Sequence, residues 1–148
     1  MSDAEAQPYC FEMTRRVEFV ETDTAGIVHY TSFLHYLEEA EHAFLRSAGL
    51  SVMLKDERGQ LGFPRVEVSS RYFRALQFED ELQIKLQVLI HRGKLLEYCG
   101  DFFHEDQKAA VARIKVACCR VREDGRMFAI LPPEFLLERL RRNGARFA

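Results

Sequence analysis

Apolar positions recur along the chain with two periods, and each change of period marks a new element. From Phe11 to Val20, the residues Phe11, Met13, Val17 and Phe19 recur about every second position around Arg15 and Arg16. That spacing predicts a half-buried strand. The run Glu21-Thr22-Asp23-Thr24-Ala25-Gly26 interrupts it with turn formers. Between Ser32 and Ala48 the period lengthens: Phe33, Leu37, Ala40, Phe44 and Ala48 fall at i, i+4, i+7, i+11 and i+15, one face of a helix. Leu34, Tyr36, Ala43 and Leu45 widen that face past half the circumference, with His35, Glu39, His42 and Arg46 opposite. Gly49 follows as a C-cap residue. A face this wide must be wrapped by other elements.

The wrapping material comes next. Gly62–Phe73, Asp80–His91, Lys94–His104 and Ala109–Val121 are long and rich in Val, Ile, Leu and Phe. The turn clusters Arg92-Gly93, Glu105-Asp106-Gln107 and Glu123-Asp124-Gly125-Arg126 separate or follow them, which predicts an antiparallel sheet of about five strands built from hairpins. Pro132-Pro133 closes the sheet region, and Glu134–Arg142 predicts a terminal helix. The expected fold class is α+β, a long central helix wrapped by a curved antiparallel sheet, in one domain spanning 1–148 with residues 1–8 as a frayed polar lead-in. Such a sheet has two edges and a second face that must be paired or protected. Self-association as a homodimer or tetramer is therefore expected, and edges blunted by charge are the alternative.

Composition narrows the function. The 148 residues are 47% hydrophobic and 30% charged, with a net charge of −2, so a uniformly basic nucleic-acid footprint is absent. No apolar run approaches the ~20 residues of a membrane span, and the polar start MSDAEAQPYC lacks the order of a secretory signal. A cytoplasmic location is expected. Cys10, Cys99, Cys118 and Cys119 show no CxxC spacing and are expected to be reduced small hydrophobes. Among the histidines, His35 and His42 lie two turns apart on one helix face, about 10.5 Å along the axis, too far for one ion. No metal is expected. There is also no GxGxxG, P-loop or GxSxG motif.

The segment joining the first strand to the long helix offers chemistry. A helix N-terminus presents free N–H groups and positive dipole, suited to a developing oxyanion. A carboxylate a few residues upstream can attack the same carbon or activate a water there. Asp23 occupies that position, although Asp before a helix also serves simply as a turn or cap residue. Glu41 falls inside the helix's apolar arc, where a buried carboxylate with raised pKa suits general-base work. The alternative is that it faces a neighbouring Arg at the arc's margin.

Asp23-Thr24-Ala25-Gly26-Ile27-Val28-His29-Tyr30, followed by Phe33, Tyr36, Glu38 and Ala40, resembles the opening of the hot-dog-fold acyl-CoA thioesterases. The likeness is to the 4-hydroxybenzoyl-CoA and Tol–Pal-associated types, and it continues through Arg71-Tyr72-Phe73-Arg74-Ala75 and Glu79-Asp80-Glu81-Leu82. The resemblance implies hydrolysis of an acyl-CoA to free acid and CoA, the CoA thioester being substrate and no further cofactor being required. It implies Asp23 as nucleophile or general base and the backbone N–H at or near Tyr30 as oxyanion donor. It also implies that Arg92 and Lys94 contact the CoA phosphates, with Arg126 a third candidate; a solvated hairpin turn is the alternative for that pair. One branch of the family uses a helix Glu, which brings Glu41 in as the second carboxylate candidate. Relatives of the Tol–Pal type place Tyr then His where this chain has His29 then Tyr30, and the Trp common in the 4-hydroxybenzoyl type is absent. A non-catalytic hot-dog module binding acyl-CoA or acyl-carrier protein is the alternative function.

Overall fold

The computed structural model describes residues 9–92 and 94–148, so the expected frayed lead-in at 1–8 lies outside the described residues. In chain order the elements are β1 (Phe11–Arg16), a 3-10 turn (Phe19–Glu21), α1 (Ser32–Ser47), β2 (Lys55–Asp56), β3 (Gly59–Gly62), β4 (Arg65–Tyr72), β5 (Glu81–His91), β6 (Leu95–His104), β7 (Gln107–Ala117), β8 (Cys119–Val121), β9 (Met127–Ala129), α2 (Glu134–Arg142) and β10 (Arg146–Phe147). The main sheet runs β1-β5-β6-β7-β4, and the short β10 lies parallel to β5 on the edge β1 leaves free. A second sheet runs β2-β3-β8-β9.

The strands alternate as a sheet wrapped on one helix requires. On β5, Leu82, Ile84, Leu86, Val88 and Ile90 all point inward and are buried. They meet the apolar face of α1, where Phe33, Leu37, Ala40, Phe44 and Ala48 are likewise buried. Contact is close at the central strand: a Cβ on Gly100 of β6 would come within 2.8 Å of Leu37 Cδ1. The helix ends as the sequence predicts. Gly49 adopts φ +74°, its N–H donates to Arg46 O at 3.0 Å, and the Leu50 N–H donates to Leu45 O at 2.8 Å. From α2, Arg139 Nη1 donates to the orphan Ala48 carbonyl at 3.0 Å.

The structure departs from expectation in three places. The first strand stops at Arg16, and Phe19 and Val20 are 75% and 83% exposed. Its ladder partner β5 begins only at Glu81, and the Glu18–Glu21 capping box turns the chain into a 3-10 turn. The strand expected at Gly62–Phe73 is split around Pro64, and that at Ala109–Val121 around Cys118, each half joining a different sheet. The strands also number more than the five expected, across two sheets. Gly125 (φ +85°) lets Met127–Ala129 fold back as β9, and the chain returns after α2 as β10. All four cysteines are free thiols. Among the described residues no helix is long and apolar enough to cross a membrane.

The Gly100 contact generates a stability prediction. Gly100→Ala overfills the helix–sheet interface and should cost about 1–3 kcal/mol, read as a lowered urea midpoint at unchanged slope. A wild-type midpoint would show that Leu37 has room to move aside.

Candidate active site

The turn between β1 and α1 is fastened at its shoulders, which leaves a carboxylate at one of them. The Asp23 N–H donates to Ile27 O (2.8 Å) and the Gly26 N–H to Asp23 O (3.0 Å), closing a tight turn that Gly26 permits at φ +79°. Asp23 Oδ1 accepts the Ala25 N–H at 2.8 Å, as a turn-forming Asp does. Its Oδ2 accepts no hydrogen bond among the described residues. Opposite, the Val28 N–H donates to Leu76 O at 2.8 Å and Ile27 bridges Gln77, so the turn is stitched to the segment entering β5.

Tyr30 precedes the N-cap of α1, Thr31. The carbonyl of the His29–Tyr30 peptide accepts the Ser32 N–H at 2.9 Å. In a trans peptide the Tyr30 N–H therefore points the opposite way, and it has no partner among the described residues. The Tyr30 carbonyl accepts the Tyr72 hydroxyl at 2.8 Å. His29 Nδ1 sits 2.7 Å from Thr31 Oγ1 and accepts the Thr31 N–H at 3.2 Å, so this ring serves the helix start.

Asp23 and Tyr30 line one cleft of about 340 Å³, together with Phe33 of α1 and Tyr72, Phe73 and Arg74 at the end of β4. Exposed Arg74 makes no ion pair among the described residues, which leaves a cation at the rim. Tyr72 and Arg74 were not singled out as site residues. Their signal was the Arg71–Ala75 stretch, which reads as a strand end until the fold sets it beside the helix start.

The remaining candidates lie elsewhere. Tyr72 pairs with Ala110, which pairs with Phe102 of β6, whereas Arg92 and Lys94 flank the turn before Leu95 at the other end of that strand. Leu95 and Phe102 are seven steps apart along β6, about 24 Å, so one chain does not bring Arg92 or Lys94 to Asp23. Lys94 Nζ contacts Ala129 O at 3.4 Å, and Arg126 pairs with Asp124 at 3.0 Å.

Glu41 is 2% exposed and does not line the cleft. Arg65 Nη1 donates to its Oε2 at 3.0 Å and Nη2 donates to its Oε1. The same Nη2 reaches Glu38 at 3.2 Å, and His42 Nε2 lies 3.8 Å from Glu41. Ligand atoms of Glu38, Glu41 and His42 lie within 4.8 Å of one another. A metal there would have to displace the guanidinium. Burial pushes the Glu41 carboxyl above its ordinary value, only partly opposed by Arg65. A raised native pKa means that the folded chain holds this proton more tightly, so stability falls as pH climbs from the ordinary Glu value through the raised one. Arg65→Met removes the opposing cation and should cost about 3–5 kcal/mol at neutral pH. The loss should shrink on acidification, as Glu41 becomes neutral. Urea melts at both pH values test this, and an equal loss at each would show that the charge on Glu41 is not responsible.

Residues 17–140 match the thioesterase-like superfamily. The chain is 26% identical over 108 residues to the acyl-CoA thioesterase YbgC of Haemophilus influenzae, covering 73% of this chain and 79% of the relative. It is 30% identical over 92 residues to a 1,4-dihydroxy-2-naphthoyl-CoA hydrolase of Synechocystis, covering 62% and 65%. Among solved structures, a gentisyl-coenzyme A thioesterase superposes with TM-score 0.71 at 26% identity, over 91% of this chain and 100% of that one. The chain belongs to the thioesterase-like superfamily and is a hot-dog-fold thioester hydrolase.

Proposed function

We propose that this enzyme hydrolyses an acyl-CoA to the free acid and CoA, with Asp23 as the reacting carboxylate and the Tyr30 N–H as oxyanion donor. The observation that supports this is that Asp23, with a free carboxylate oxygen, and Tyr30, whose N–H has no partner among the described residues, line one cleft at the start of a helix. A thioester carbonyl directed at Tyr30 N–H gains charge on oxygen where the donor and the helix dipole stabilise it. Asp23 then either bonds to the carbonyl carbon, expelling CoA thiolate and leaving an anhydride for water to open, or takes a proton from the water that attacks. Tyr30, Phe33, Tyr72 and Phe73 form an aromatic wall suited to a flat acyl group. Two of the relatives above are named for aromatic acyl-CoA substrates, so aromatic acyl-CoAs lead the substrate panel. A CoA thioester substrate is consistent with a cytoplasmic enzyme.

A second copy of the chain belongs to this reading. β4 ends the main sheet, and Val66, Val68, Tyr72 and Phe73 along it are about half exposed. Pairing along this edge would cover those side chains and enclose the cleft that β4 borders. Within that assembly, Arg92 and Lys94 remain the proposed contacts to the CoA phosphates, reaching a cleft other than the one in their own chain.

Asp23→Asn should keep the fold and lower kcat by about 10²–10⁴-fold. The assay is CoA release from short, long and aromatic acyl-CoAs, followed by thioester absorbance because thiol reagents would also titrate the cysteines. Near wild-type turnover in the variant would remove Asp23 from the mechanism. No turnover by the wild type, with saturable CoA binding, would favour the binding module.

A further inference from the structure

Hydrolysis in this cleft requires Asp23 and the Tyr30 N–H to hold a fixed separation, yet both lie on an irregular segment and Thr24, Ala25 and Gly26 are exposed. Catalytic groups must be held within roughly 0.5 Å of productive geometry by a supporting shell. The question is what supplies that shell, since neither regular element reaches as far as Asp23.

Glu21 accepts five hydrogen bonds. Its carboxylate accepts Arg15 Nη1 at 2.5 Å, the Tyr36 hydroxyl at 3.0 Å and the Glu18 N–H at 2.8 Å. Its carbonyl accepts the His29 N–H at 2.8 Å and Ser32 Oγ at 3.0 Å. Glu21 is therefore tied to β1 through Arg15, to the first turns of α1 through Ser32 and Tyr36, and to the residue preceding Tyr30. Asp23 follows two positions later in the chain. Arg15 is fixed in turn: it donates to Glu39 through Nε at 2.8 Å and Nη2 at 3.1 Å, and its guanidinium lies 4.4 Å over the Tyr36 ring. The Arg15 and Glu21 side chains are only 14% and 15% exposed, so the pair is largely shielded from solvent.

We infer that Glu21, clamped by Arg15 and Tyr36, is a positioning residue that holds Asp23 in register with the Tyr30 N–H. The inference rests on the proposed roles of those two groups. Its charge matters as well as its shape. Burial pushes the Glu21 carboxyl upward, but the bonds from Arg15, the Glu18 N–H and Tyr36 outweigh it and hold the group below the usual carboxylate range. Glu21 is thus an anion when the enzyme works. A glutamine of the same size keeps one accepting oxygen but removes the charge that Arg15 Nη1 is paired with, which weakens the clamp.

The test measures Glu21→Gln and Tyr36→Phe beside Asp23→Asn, reading kcat, KM and backbone hydrogen exchange. In Glu21→Gln, kcat should fall at least about tenfold, on the way to the ~10²-fold that a 1 Å misplacement costs. KM should stay within about threefold, since the acyl and CoA contacts remain. Exchange should quicken in residues 22–31 and not in β5 or β6. Tyr36→Phe keeps the ring under Arg15 and removes one bond, so it should shift the same readouts less; it also carries the test if Glu21→Gln does not fold. Turnover within about twofold of wild type in Glu21→Gln, with Asp23→Asn inactive, would overturn this inference and leave the proposed function standing. A loss of kcat that tracks lost protection across β5 and β6 would overturn it too, by making Glu21 a general fold residue. Full activity in Asp23→Asn would remove the Asp23 assignment and this inference with it.

Discussion

Burying the wide apolar face of α1 is the constraint on which the other features depend. A helix carrying Phe33, Leu37, Ala40, Phe44 and Ala48 on one face cannot leave them in water, and each large side chain buried there contributes about 1.5–3 kcal/mol. The sheet curves to reach them, approaching so closely at β6 that a Cβ on Gly100 would press on Leu37. A wrapped helix still has ends, and those ends come out at the rim. The C-terminal end is closed by Gly49 and by Arg139 of α2. The N-terminal end opens beside the last residues of β4, where the Tyr30 N–H, just before the N-cap, has no partner among the described residues. The cleft lies where the wrapping stops.

Wrapping also drew polar groups inside, and each is matched. Glu41 lies within the apolar arc, and Arg65 reaches in from β4 to meet it. Arg15 occupies an inward position of β1, among residues that otherwise alternate as core, where Glu21 and Glu39 take up its donors and the Tyr36 ring lies against its guanidinium. The two pairs differ in consequence. Arg65–Glu41 joins a sheet edge to the middle of the helix, away from the cleft. Arg15–Glu21 joins the sheet to the segment that carries Asp23.

What the sequence made legible follows from the range of the signals involved. Helical periodicity is local, so α1 and its Gly49 cap are readable within a residue, and α2 coincides with Glu134–Arg142. The Asp23-to-Tyr30 segment is equally local, and its two ends do meet in one cleft. Strand breaks were harder to see. Pro64 removes a donor, but Cys118 is an ordinary apolar residue that ends β7 only because the chain must change sheets there. Pairings between distant positions were not legible. Tyr72 is 42 residues from Tyr30, and Glu21 gives no sign in the sequence that Arg15 and Tyr36 will converge on it. For Arg92 and Lys94, spacing says nothing of the length of β6 that lies between them and the cleft.

The geometry at the end of β4 joins two features that look separate. Tyr72 closes the cleft wall and donates to the carbonyl of Tyr30, so the edge strand is bonded to the residue that supplies the candidate oxyanion donor. An unpaired edge is the least constrained part of a sheet, because half of its backbone groups have no partner. A strand laid against β4 would restrain it, and the Tyr72 hydroxyl would pass that restraint to Tyr30. Glu21 fixes the cleft from the side of β1 and the core, while β4 fixes it from the side that the chain alone leaves open. The two supports are unequal: the first is complete within one chain, and the second waits on whatever occupies the edge.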